Sequence, residues 1–448
     1  MAVQQNTEEL IDVPISNMTN EPSNGRVTLH ACLAVTGSSL ALFCSVGFLN
    51  AFGVFQEYYK AHLLQNMSES DISWIGSVSI FLVYGLSPLA GILVDRIGPT
   101  TLLITGSLGE LLAIFMTSLC THYYQFFLAQ AILLGVSMSF LLLPPMSVVT
   151  RHLPHHRGLA LGIVIGGSSI GGVVWPVMLE RLLNHTNLGF GWTMRIIGFT
   201  MIPLLAIACA TVLEPASAFA AQTQPQQQTL ASDPSSSETE HEADRQEKAK
   251  PKIADISILK NPAFTTLCLG LAISFLGLYI PFFYVSPYAS ARGINPELSF
   301  YLISIMNGAS LFGRVVPGHL ADRYGHFNTC IVALISSAAI GFCWTAATSF
   351  AGLVVWALVY GFSSGAIVSL QGACASRIAT HRTQGTAMGL VMGASAITAL
   401  VGNPVGGTLV GKYGYLANSM FTGATLVVGT VLIVVARLRL DRKVWVAV

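Results

Sequence analysis

Charged residues are few in this sequence: Asp, Glu, Lys and Arg make up only 10% of its 448 residues. Soluble domains carry roughly 25%, so this chain cannot cover itself with a hydrated surface, and a string of soluble domains is excluded. The net charge of +1 leaves no basic excess to attract nucleic acid. The eight cysteines (Cys32, Cys44, Cys120, Cys209, Cys268, Cys330, Cys343, Cys374) fall in or beside apolar stretches without any CxxC pair. Neither a zinc site nor a disulfide framework is signalled, and they read as small packing residues. No P-loop, dinucleotide fingerprint or Ser-His-Asp order appears in a credible context, which argues against an ATP-driven pump and against an enzyme. No resident cofactor is expected, although coupling to protons is left open. A cleavable signal peptide is not visible either, because the first 28 residues are polar and the first apolar run is too long.

What the chain has instead is hydrophobic length, with 53% apolar residues. Apolar windows fall near 29–56, 71–94, 100–121, 124–149, 158–183 and 193–213, then near 262–288, 298–321, 327–348, 351–373, 384–410 and 416–437. Each is long enough to cross ~30 Å of hydrocarbon as a helix. The expected fold is therefore an all-α polytopic membrane protein with two sets of six spans, 29–213 and 259–438. The Gln-, Ser- and Pro-rich interval 214–258 reads as a disordered linker, and 1–28 and 439–448 as short tails. Arg96, Arg151, Arg157, Arg323, Arg377, Arg437 and the linker lysines gather at one end of the spans. Lys60, Arg181, Arg195, Arg292 and Lys412 fall at the other. The positive-inside rule puts the richer end, the linker and both termini in the cytosol. Asn66 and Asn184, each in an Asn-x-Ser/Thr triplet, then lie outside as glycosylation candidates.

The two halves are copies. GILVDRIGP begins at Gly91 and GHLADRYGH at Gly318, 227 positions further on. Gly91, Asp95, Arg96 and Gly98 thus correspond to Gly318, Asp322, Arg323 and Gly325. The same offset relates RGLALGIVIGGS, from Arg157, to QGTAMGLVMGAS, from Gln384. Six spans separate equivalent positions, so the repeats are parallel, related by an axis along the membrane normal.

With these motifs the sequence resembles the major facilitator superfamily of transporters, whose loop between helices 2 and 3 reads G-x-x-x-D-R-x-G, often with a degenerate copy between helices 8 and 9. The basic pair that usually follows is replaced by Pro99-Thr100 and His326-Phe327. Within that superfamily it resembles fungal members of the monocarboxylate-transporter branch, through GFLNAFGVFQEYY from Gly47, SWIGS from Ser73, R-G-L-A-x-G from Arg157, and Arg314. Two departures stand out. Ser310 occupies the place of an acidic residue of that branch, and helix 1 has no basic residue near Val54. The resemblance implies two six-helix bundles that rock about a midplane substrate. The acid of each loop motif would hold the N-terminal end of helix 11 or helix 5.

Arg314 is the sharpest binding candidate, about eight residues inside its span, where a guanidinium needs a partner. Its repeat counterpart is Ser87, so the charge breaks the symmetry. In the family the cavity is lined by helices 1, 4, 7 and 10, where Asn50, Gln130, Tyr279, Tyr284, Trp356, Tyr360 and Gln371 offer polar or aromatic groups; Asn307 lies two turns from Arg314. Glu110 is the other deep charge and reads as a structural hydrogen-bonding group of a peripheral helix. The glycines Gly162, Gly166, Gly385, Gly389 and Gly393 form small-xxx-small ladders for close helix packing. Ser168 stands where the drug-antiporter signature needs proline. The cluster His152, His155 and His156 reads as orienting charge beside two arginines, not as a metal site. The expected function is alternating-access transport of a small organic anion or carboxylated metabolite, by a monomer in the plasma or vacuolar membrane. The alternatives are efflux of a fungal secondary metabolite, uptake of a flavin-like aromatic, and a non-transporting nutrient sensor.

Overall fold

A computed structural model of the chain describes residues 28–214, 256–380 and 383–441. Residues 1–27 and 442–448 of the expected tails, nearly all of the linker, and residues 381–382 lie outside the described residues, and the last helix runs on to Leu440, past the expected end at 438. Every regular element among those described is helical.

The first half runs as α1 (Leu29–Leu63), α2 (Glu69–Gly85 continued by Ser87–Ile97), α3 (Pro99–Thr117), α4 (Tyr123–His152), α5 (Arg157–Asn184) and α6 (Gly189–Thr211). The second runs as α7 (Pro262–Ala291), α8 (Pro296–Tyr324), α9 (His326–Phe342) and α10 (Phe350–Ile378). The remaining rod, Gln384 to Leu440, breaks at Gly414, where φ is +78°, giving α11 (384–413) and α12 (415–440). This is the twelve-helix, two-bundle membrane architecture.

Several helices are interrupted where the sequence supplies a reason. α2 bends by 41° at Leu86, ahead of Pro88. α1 breaks at Asn50–Ala51 and α7 at Tyr279, just before Pro281. Such breaks are tolerated at membrane depth only where neighbouring protein satisfies the freed backbone groups. α4 runs through Pro144–Pro145 without stopping and reaches His152, past the expected end at 149. The motif glycines Gly98 (φ +85°) and Gly325 (φ +95°) are each the single residue between two helices. A side chain there would be strained in the left-handed region, so a one-residue reversal calls for glycine.

Within the first bundle α1 packs on α4, α5 and α6, and α3 packs on α4 and α6; in the second, α8 packs on α10 and α9 on α12. Between bundles the close pairs are α2 with α11 and α5 with α8. Those two seams position the site.

Candidate functional site

At the arginine-rich end, which charge bias assigns to the cytosol, each seam is closed by one aspartate. Asp95, near the end of α2, accepts hydrogen bonds from the backbone N–H of Gly385 (3.1 Å) and Thr386 (2.7 Å) and from the Thr386 hydroxyl (2.8 Å). These donors are the first turn of α11, where unpaired N–H groups and the helix dipole favour an anion. On its other side Asp95 meets Arg151 of α4 at 3.0 Å, and Arg151 also pairs with Glu214. Asp322, near the end of α8, takes the N–H groups of Gly158 (2.7 Å) and Leu159 (2.9 Å) in the first turn of α5. Its side-chain partner is His326 at 3.2 Å. The aspartates make the crossing, whereas Arg96 and Arg323 are exposed at the same end.

Glycine lets the helices come that close. A methyl group at Gly91 would lie 2.2 Å from the Gly385 carbonyl oxygen, and one at Gly158 2.3 Å from that of Gly318. At Gly162 it would meet the Arg314 carbonyl at 2.2 Å, and at Gly389 the Ser87 carbonyl at 2.3 Å. Gly166 and Gly393 face side chains instead, Leu311 and Pro88. The ladders in α5 and α11 therefore pack across the two bundles. Arg157, donating to the Ser376 carbonyl (3.2 Å), and Gln384, donating to the Thr150 hydroxyl (2.9 Å), add further ties between the bundles.

Further along the α5–α8 seam, toward the midplane, Arg314 is buried at 8% exposure. Its Nη1 donates to the Ile165 carbonyl and the Ser168 hydroxyl of α5, both at 2.7 Å, while Nε is buried without an acceptor. Ser168, the departure from the antiporter signature, is thus an anchor for this arginine. Two phenols, Tyr84 at the bend of α2 and Tyr279 at the break of α7, lie close enough to interact electrostatically with Arg314. Their hydroxyls are 3.3 Å apart and join opposite bundles. Asn307 and Asn50 approach each other around Gly172 of α5: a methyl there would lie 3.5 Å from the first and 2.9 Å from the second. Arg314, Tyr84 and Tyr279 make up a polar floor, and Asn307 and Asn50 flank Gly172 of α5. The floor can accept an acidic or hydroxylated group on an otherwise apolar molecule.

The other candidates lie elsewhere. Tyr360 is fully buried, its hydroxyl donating to the Leu278 carbonyl, and Trp356 donates to the Ile340 carbonyl. With Trp344 they form a stack of rings 5.5 and 5.2 Å apart inside the second bundle. Both rings pack inside the second bundle, and their polar atoms are engaged with backbone carbonyls. Gln130 is committed to Tyr59 (2.7 Å) inside the first bundle, and Tyr284 to the Asn403 carbonyl of α11 (2.8 Å). Gln371 is buried with its Oε1 unpaired. Glu110 is fully buried in α3 and, among the described residues, neither carboxyl oxygen has a hydrogen-bond partner, unlike the expected structural hydrogen bond. Asn66 and Asn184 are exposed. No cluster of potential metal ligands occurs among the described residues.

Sequence reasoning missed Tyr84, because α2 is outside the four helices searched, and missed Thr386, Arg151 and Glu214 as latch partners. The loop motif marks only the acid; its donors are recognisable only once α11 is seated against α2.

A family model described as Major Facilitator Superfamily matches residues 33–350. An MFS-type transporter of Aspergillus fumigatus is 54% identical over 431 residues, covering 96% of each chain. The agnestins efflux protein of Paecilomyces divaricatus is 45% identical, covering 94% of this chain and 90% of its own. The aspyridones efflux protein of Emericella nidulans is 36% identical, covering 90% and 77%. The solved proton:xylose symporter XylE shares the fold, with a TM-score of 0.71 at 14% identity over 91% of this chain and 95% of its own. The three fungal relatives are named as efflux proteins or an MFS-type transporter, so the narrower likeness to the monocarboxylate branch gives way to one with fungal transporters, two of them named for efflux. The chain is a multi-pass membrane transporter, not an enzyme, and belongs to the major facilitator superfamily.

Proposed function

We propose that this carrier exports a fungal secondary metabolite by alternating access, from the plasma membrane. The observation that carries the reading is the 45% and 36% identity, over at least 90% of the chain, to proteins named for the efflux of agnestins and aspyridones. The geometry fits an outward-facing state, since both cytosolic seams are latched and the Arg314–Tyr84–Tyr279 floor lies beyond them. A medium-sized, largely apolar molecule with an acidic hydroxyl or carboxyl suits that floor better than a small monocarboxylate. The phenols and Asn307 would contact its polar edge while Arg314 takes its acidic group. Proton exchange is the proposed drive, with Glu110, enclosed and unpaired, as a group able to hold a proton.

Arg314 tests the reading. Hydrogen bonds to charged groups contribute about 1.5–3 kcal/mol, so Arg314→Ala should weaken an acidic substrate roughly 10- to 100-fold while a neutral analogue loses far less. Competition binding on detergent-solubilised protein measures both. Equal losses for the two ligands would remove Arg314 from the binding site and leave it as a seam tie to Ile165 and Ser168.

A further inference from the structure

Three polar groups break the internal repeat at one place. At the 227-residue offset Arg314 has Ser87 as its counterpart, Tyr84 has Leu311, and Tyr279 has Phe52. The duplicated scaffold therefore requires none of them, yet the fold brings all three together. Tyr84 stands where α2 bends and Tyr279 where α7 breaks, and their hydroxyls meet at 3.3 Å across the two bundles. The ring of Phe275 lies 6.2 Å from the Tyr84 ring and 5.6 Å from that of Tyr279, which restricts both side chains. Arg314 crosses in the opposite sense, from α8 to Ile165 and Ser168 of the first bundle, through Nη1 alone. Its Nε is buried without an acceptor, and its Nη2 makes no hydrogen bond among the described residues. Those two nitrogens form one planar edge of the guanidinium, suited to two oxygens of an acid side by side.

We propose that Tyr84 and Tyr279 are specificity-determining residues that link a bound acid to the contact between the bundles, so that loading the site closes the carrier toward the cytosol. This rests on the reading of Arg314 as the holder of an acidic group. In a pair of hydroxyls one O–H donates to the other oxygen, and the second O–H is left over. An acid on the open edge of Arg314 is the acceptor for that remaining O–H, since both phenols lie within electrostatic reach of the guanidinium. A chain then runs from the acid to one phenol and on to the other. Each bond polarises the next, and the charged end strengthens the whole. At 3.3 Å the phenol pair is long for an O–H···O contact, so the bond is weak in the empty site and has room to tighten. Parting the cytosolic seams draws α2 away from the second bundle and breaks the chain. The acid thus favours the cytosol-closed state by the free energy that the chain adds. A neutral molecule of the same shape gains no such difference. The substrate class is a flat, largely apolar molecule with an ionised oxygen at one edge.

Spin labels on Ile97→Cys and Tyr324→Cys, exposed residues at the cytosolic ends of α2 and α8, report closure in the full chain in liposomes, with Cys32 and Cys343 replaced by serine. The probes are naphthoate, a flat aromatic carboxylate, and naphthamide, its neutral analogue. Saturating naphthoate should raise the ratio of closed to open molecules about three- to tenfold, the net effect of one hydrogen bond, and naphthamide less than about twofold. Tyr84→Phe and Tyr279→Phe should each lower the ratio of the empty carrier and lose the response to naphthoate. The double variant should do no more than the larger single one, because the chain acts as a unit. An unmoved wild-type ratio, equal effects of acid and amide, or a Phe variant that responds like the wild type overturns the proposal. Arg314→Ala separates the two readings. A response kept in Arg314→Ala overturns the acid site and the proposal together; one lost there but kept in both Phe variants overturns the proposal alone.

Discussion

Alanine at Gly162 or Gly389 is expected to reduce transport at least 100-fold while the protein still folds and inserts. At both positions the new methyl group would fall 2.2–2.3 Å from a backbone carbonyl of the opposite bundle, not from a side chain that could turn away. Neither helix can yield locally, since its own backbone hydrogen bonds must remain made inside the membrane. The seam must therefore widen, and every hydrogen bond across it lengthens, including those of Asp95 or Asp322 and that of Arg314 to Ile165. The cytosol-closed state is lost while each bundle keeps its own core. Label distances across the cytosolic ends should show the open arrangement, and substrate should still bind from the cytosolic side. Wild-type turnover in Gly162→Ala would mean that the α5–α8 seam is looser than its glycine contacts indicate. The control is Gly53→Ala, in α1, where an added methyl meets nothing within 4 Å and little change is expected.

Asp95→Ala is expected to slow turnover about 10- to 100-fold with binding changed less than threefold, and to be more damaging than Asp322→Ala. Removing Asp95 leaves Arg151 with Glu214 as its one acidic partner among the described residues, leaves two N–H groups and a hydroxyl without their acceptor, and abolishes a largely buried ion pair. Each bond to a charged group contributes about 1.5–3 kcal/mol, and they act together. Asp322 has fewer side-chain partners, so its loss costs less. Single-turnover and equilibrium-binding measurements separate the two effects. A rise in Kd with unchanged turnover would place Asp95 in substrate binding instead of gating.

The fold was legible because membrane proteins state it in composition. Sparse charge, twelve long apolar runs and a duplication at one fixed offset leave few alternatives. The latch acids were legible from the repeat for the same reason. Their donors were not: the N–H groups of Gly385, Thr386, Gly158 and Leu159 become a site only when α11 and α5 are docked on the opposite bundle. The midplane was read in part. Arg314 stood out as a charge at depth, but a single charge does not reveal that Ile165, Ser168, Tyr84 and Tyr279 surround it. Trp356 and Tyr360 stack inside the second bundle, and an aromatic on a cavity-lining helix has the same sequence signature whether it faces the cavity or the bundle core. The small-anion reading was drawn from Arg314 and the branch resemblance, and similarity to proteins named for efflux supports the alternative, a secondary metabolite, better.

The carrier is proposed to move a metabolite out of the cytosol by alternating access. Inside-out vesicles carrying the full chain test it directly, with uptake of flat amphipathic metabolites, flavins and small monocarboxylates measured with and without a lumen-acid pH gradient. Saturable uptake of an amphipathic metabolite is expected, accelerated by the gradient and not inhibited by excess lactate or pyruvate. Binding without saturable flux would point to a sensor, and saturable flux of monocarboxylates alone would contradict the efflux reading.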